Sequence, residues 1–153
     1  MAEFEFIGPN DKPALMAIAS PELQSVCETV LKENQYKVHA ASTHDDLLAR
    51  FGQVQYKIVI IEDKFGGEVG QNTSLQNLQA RPMAERRHAF FTLIGDQFES
   101  FNERQAFAAS VHVVLNPKDI IQAFPQVLQQ KVAENDLFLK RFFDVQAAVM
   151  QGQ

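Results

Sequence analysis

Residues 56–67 read YKIVIIEDKFGG. A short run of apolar, mostly β-branched residues ends in two acids and then glycine. An apolar run of this length, closed by turn chemistry, makes a buried strand; a helix needs ten residues or more. Burial on both faces is what a parallel sheet imposes on its inner strands. The stretch therefore predicts a strand over 57–61. It delivers Glu62 and Asp63 to the strand's carboxyl end, where open α/β sheets hold their ligands.

The flanking sequence repeats this alternation. ALMAIA (14–19) is a second buried strand, and SPEL begins a helix with a capping serine, Pro21 in the first turn and Glu22 at the positive end. Leu23, Val26, Cys27, Val30 and Leu31 form that helix's apolar face, which should end near Asn34. YKVHAA (36–41) alternates as an outlying strand does. STHDDLLARFG (42–52) reads as a helix closed by Gly52. Beyond the glycine-rich loop GGEVG (66–70) come a short helix over 73–80, a strand over 88–94, a helix over 97–110 and a strand over 111–115. In the helix over 97–110, Phe98, Phe101 and Phe107 are available for packing.

Five strands alternating with helices predict a three-layer α/β sandwich. Its parallel sheet takes the order 2-1-3-4-5, with helices on both faces. Any site should be ringed by residues 18–20, 62–66, 94–96 and 116–117. From Asp119 to Val149 the chain reads helical for longer than one sheet face requires, with Pro125 as a turn or kink near its start. Three segments follow from this pattern: an arm or linker over 1–13, a domain over 14–133, and a helical extension over 134–153. In the extension, Phe138, Phe142, Phe143, Val145 and Val149 exceed what a covered helix needs. They are candidates for a protein interface, a homodimer among them.

Composition narrows the function. The chain has 153 residues, 46% of them hydrophobic, and a formal charge of −5. Its densest basic point is Glu85-Arg86-Arg87, too small a footprint for grip on a phosphate backbone, so nucleic acid is not an expected partner. No apolar run reaches the ~20 residues of a membrane span. The first residues lack a signal peptide's basic start and apolar core. With Cys27 alone, no intrachain disulfide forms, which fits a reducing compartment and a cytoplasmic location. The four histidines show no paired metal-ligand spacing. His39 and His112 read as structural imidazoles on strands, and Cys27 as core. No nucleophile–base pair is visible, so neither catalysis, a cofactor nor a metal is expected.

Three stretches together resemble the receiver domain of bacterial two-component response regulators, over about residues 14–130. MAIASPEL is similar to that family's first strand and helix entry, YKIVIIEDKFGG to its third strand and following loop, and LNPKD to the end of its fifth strand. The resemblance implies phosphoryl transfer to an aspartate. That reaction is assisted by Mg²⁺ on an acidic pair, by a hydroxyl after strand four and by a lysine after strand five. Matched position by position, the acidic pair falls on Ile18, Ala19 and Ser20. The acceptor falls on Glu62, with Asp63 beside it; the hydroxyl falls on Ile94 or Gly95; the lysine falls on Asn116, and Pro117 is kept. The reading is a pseudo-receiver that signals by protein–protein contact and takes no phosphoryl group. In that reading Glu62 and Asp63 are a solvated strand end. The alternative is a flavodoxin-like domain that binds a small anion at the strand ends, motivated by GGEVG and the small residues 19–20.

Overall fold

The computed structural model describes residues 7–66 and 72–152. The alternation yields β1 (Lys12–Ala17), α1 (Pro21–Glu33), β2 (Tyr36–Ala40), α2 (His44–Gln53) and β3 (Ile58–Glu62). Then come α3 (Thr73–Ala80), α4 (Met83–Arg86), β4 (Phe90–Ile94), α5 (Glu103–Ala108) and β5 (Val113–Leu115). A 3₁₀ turn (Pro117–Asp119), α6 (Ile120–Gln126), a π turn (Val127–Lys131) and α7 (Val132–Gln151) complete the chain. The sheet is parallel, in the order β2-β1-β3-β4-β5.

Four helices start on a side chain that accepts an otherwise orphaned N–H: Ser20 from Leu23, Thr43 from Asp46, Asn72 from Leu75 and Asn102 from Gln105. The sheet buries both faces. Ala14, Met16, Ile58, Ile60, Phe90 and Leu115 meet α1 and α6 on one side. Leu15, Val59, Ile61, Phe91 and Val114 meet α2 and α3 on the other. Cys27 is fully buried in the first cluster, and burial, with the nearby Glu62 charge, pushes its thiol up to about 12. His39 Nδ1 lies 2.7 Å from the Tyr56 hydroxyl.

Several boundaries differ from the sequence reading. The strand expected over 14–19 begins at Lys12, because Lys12 and Pro13 still pair with Tyr36 and Lys37 of β2. Gly52 does not end α2, which runs on to Gln53 and closes at Val54. The helix expected over 97–110 contracts to Glu103–Ala108. Asn102 caps it late, Phe101 takes φ 65°, and Phe107 is 87% exposed rather than packed. β4 and β5 are shorter than read, starting at Phe90 and Val113. Pro125 neither precedes nor breaks a helix: it lies inside α6, and the irregularity is taken up by the π turn that follows.

Val132 is the last buried side chain of the core, and none beyond it is buried among the described residues. An ion pair and cation–ring contacts still tie α7 to the body. Lys57 and Asp136 form an ion pair of 2.9 Å, and the Arg87 guanidinium lies 5.7 Å from the Phe142 ring centroid and 6.0 Å from that of Phe143. Phe138, Val145 and Val149 are exposed, and Phe142 and Phe143 half so. No helix among the described residues is long and apolar enough to cross a membrane.

Candidate functional site at the carboxyl ends of the strands

Alternation along β3 sends Ile58, Ile60 and Glu62 to the face that α1 covers. Glu62 is therefore not a solvated strand end; it is 3% exposed. Its Oε1 accepts from the backbone N–H groups of Ala19 (2.8 Å) and Ser20 (3.1 Å), across the turn from β1 into α1. A carboxylate on N–H donors just ahead of a 13-residue helix also answers the positive helix end. Its other oxygen lies 3.7 Å from the half-exposed Lys64 ammonium. The cation that faces Glu62 thus comes from its own loop, not from the position after β5.

Asp63 is buried too, and the expectation of a solvated pair fails there for a different reason. Its N–H donates to the Ile94 carbonyl (2.7 Å), extending the β3–β4 ladder by one bond, and its carboxylate accepts from Gln97 Nε2 (2.8 Å). Buried Asn72 clamps the loop from below, with its Nδ2 donating to the carbonyls of Glu62, Asp63 and Phe65. Gly66 takes φ 85°, and a Cβ there would stand 2.0 Å from His44 Nε2. His44 Nδ1 in turn lies 2.6 Å from Ser74 Oγ. The rest of the glycine-rich loop, residues 67–70, lies outside the described residues, as do the first six residues of the arm.

Asn116 has an identifiable structural role. Its Nδ2 donates to the carbonyls of Asp96 (3.1 Å) and Phe98 (2.9 Å), and its Oδ1 accepts from the Lys118 N–H (3.1 Å). Its own N–H donates to Ser100 Oγ, and that hydroxyl donates to Asp119. One carboxamide thereby ties the β4–α5 loop to the start of the 3₁₀ turn. Gly95 fits closely under the same loop, since a Cβ there would meet Gln97 Oε1 at 2.5 Å and the Phe98 ring at 2.9 Å and would displace these side chains.

The structure thus brings Glu62, Asp63, Gly95 and Pro117 together around a cavity of about 50 Å³, with Lys64, Ile94, Asp96 and Gln97 completing it. That is far below the ~300 Å³ at which ligand clefts begin. Ile18 is buried in the core, and Ala19 and Ser20 contribute backbone N–H groups rather than side-chain ligands. This donor set does not fit Mg²⁺, which asks for several free oxygens. Positions 18–20 supply no carboxylate, Glu62 and Asp63 already hold hydrogen bonds, and the third acid, Asp96, stands alone on the exposed rim. Among the described residues, no three His, Cys, Asp or Glu side chains gather to hold a metal. Sequence reading missed Asn72, Gln97 and His44. Asn72 carried a signal as a cap before TSLQ; the other two act across loops and carried none.

The fold is that of response regulator receiver domains. The chemotaxis response regulator CheY4 of Vibrio cholerae is similar over 77% of this chain and 99% of its own, with 11% identity and a TM-score of 0.58. A Burkholderia pseudomallei response regulator, solved with a phosphorylated aspartic acid, calcium and citrate, is similar over 93% of this chain and 86% of its own, with 13% identity and a TM-score of 0.60. A trimeric coiled-coil segment of yeast Spc42, fused to another protein, gives a TM-score of 0.68 at 10% identity over 94% of this chain and 88% of its own. No family model and no curated protein matches the sequence.

Proposed function

We propose that this chain is a pseudo-receiver, a receiver-like signalling module of a bacterial, cytoplasmic regulatory system that takes no phosphoryl group and acts by protein–protein contact. One observation carries the reading. The carboxylate at the acceptor position is buried and spends Oε1 on the Ala19 and Ser20 N–H groups. Phosphoryl transfer needs charge on the incoming group neutralised while an oxygen attacks in line. Here Oε1 is held by two N–H groups, Oε2 faces only the Lys64 ammonium at 3.7 Å among the described residues, and positions 18–20 and 116 offer neither a metal-binding acid nor a lysine to neutralise an incoming phosphoryl group. The Burkholderia neighbour carries a phosphorylated aspartic acid with calcium; this chain has Glu62 where the resemblance places that residue.

Contact falls to α7. Phe138, Val145 and Val149 are more than half exposed along a helix that the core does not cover. A solved structure of similar fold is joined to a trimeric coiled coil, which supports association through a helix. A second copy of the chain is the proposed partner, and 134–153 is the segment that carries it.

Incubation with Mg²⁺ and acetyl phosphate, followed by intact-mass measurement, should leave the mass unchanged. A stoichiometric, acid-labile phosphoryl adduct would overturn the loss of phosphotransfer. Truncation after Ala133 spares the core, whose last residue is Val132. It should lower the mass seen by light scattering from dimer to monomer; one mass before and after defeats the homodimer.

A further inference from the structure

At the amino ends of β4 and β5 lies a cavity of about 340 Å³, lined by Met83, Arg86, Arg87, Phe91, Phe107, Ser110, Val111 and His112. It falls within the size range of small-molecule sites, roughly 300–1,000 Å³. Its walls divide by chemistry. Met83, Phe91, Phe107 and Val111 offer apolar and aromatic surface. Arg86 and Arg87 bring two guanidinium groups to the same space.

Those charges lack the partners that a chain of net charge −5 could readily supply. Among the described residues, neither guanidinium has a carboxylate within ion-pair distance. Arg86 Nε is buried and makes no hydrogen bond there. A buried donor on a cation without an acceptor is costly, and a planar carboxylate or phosphate answers it in a forked geometry. His112 is set to help. Its Nδ1 accepts the Phe91 N–H at 3.0 Å, which puts the neutral ring's proton on Nε2 and leaves that nitrogen a donor.

We propose that this cavity binds a small organic anion, a carboxylate or phosphate monoester on a flat apolar body. The anion is held by Arg86 and Arg87, and the body lies against Phe91 and Val111. The site lies at the opposite end of the sheet from Glu62, and the proposal stands whether or not the chain takes a phosphoryl group. Arg87 also reaches the Phe142 and Phe143 rings, so a bound anion would share this side chain with α7.

The test uses the full ¹⁵N-labelled chain and two probes of one shape, 2-naphthoate and uncharged 2-naphthamide, followed by ¹H–¹⁵N NMR. Naphthoate should give saturable shifts centred on the amides of Phe91, Ser110, Val111 and His112. Naphthamide should bind about tenfold more weakly or not at all. Arg86→Gln should cost about tenfold in naphthoate affinity and Arg86→Lys less, each keeping the dispersed spectrum of the folded chain. The His112 imidazole should titrate at higher pH with naphthoate bound, since the anion joins Arg86 and Arg87 among the charges facing it. Equal binding of the two probes, shifts centred on α7, or no saturation at millimolar naphthoate would each overturn the proposal.

Discussion

The two ends of the sheet have been treated oppositely. At the carboxyl ends, Glu62, Asp63 and Asn116 are each bonded to backbone or side-chain partners, and about 50 Å³ is left beside Glu62 and Asp63. At the amino ends, about 340 Å³ stays open, and two arginines face it without a carboxylate among the described residues. Those three side chains are satisfied from within the chain, so they contribute to stability. At the second end polar groups are left for something outside it. A receiver-like fold would be expected to show the reverse, with open chemistry at the carboxyl ends and plain packing below. The difference teaches that likeness of fold locates a site's position but not its occupancy.

The largest test of that contrast removes the plug. Glu62→Ala takes the acceptor from two N–H groups and leaves a hole in a buried site, and should cost about 2 kcal/mol in urea unfolding. Ala19 is exposed, so water can replace part of the loss. Glu62→Gln, which keeps a carbonyl oxygen for the same donors, should cost less than half as much. If Glu62→Ala is neutral or stabilising, the carboxylate is a strained functional group and the closed-end description fails.

Restoring the family's lysine is the next strongest test. Asn116→Lys keeps the backbone bond to Ser100 but loses both Nδ2 bonds to the β4–α5 loop and the Oδ1 cap on Lys118. It should destabilise by about 1 kcal/mol, with faster hydrogen exchange at residues 97–101. A variant as stable as the parent, whose ammonium pairs with Glu62, would mean that the pocket is still poised for its former chemistry.

What could be read in advance follows from range. β3, β1 and the sheet order were legible because inner parallel strands are written as local apolar runs. The helix before β5 was misjudged because Phe98 and Phe101 look helical by spacing, whereas Gly95, a φ of 65° at Phe101 and the Asn102 cap hold 95–102 as a loop. The burial of Glu62 was not legible. Its partners lie 42 and 43 residues away and are backbone N–H groups, which leave no mark in composition. Arg86 and Arg87 were visible only as the densest basic point. That they face a cavity depends on where α4, β4 and β5 meet.

The smallest expected effect belongs to the open end and is a matter of pH. Burial lowers the His88 imidazole below its ordinary value, and burial together with the Arg86 charge lowers that of His112. Both rings are therefore held neutral in the fold, while the unfolded chain takes up protons as pH falls through about 6.5. In that window the unfolded state binds more protons, so stability falls on acidification; it levels off once pH is below the depressed folded values. Asp11 and Asp46, held below 3.8, act only in more acid solution and do not contribute here. The melting temperature should therefore drop between about pH 7.5 and about pH 5.5, by less than either substitution above produces. His112→Gln, whose Oε1 can still accept the Phe91 N–H, should flatten that slope without a comparable loss at the higher pH. A slope unchanged in this variant would show that neither burial nor the Arg86 charge holds His112 down, and the electrostatic contrast between the two ends would lose one of its supports.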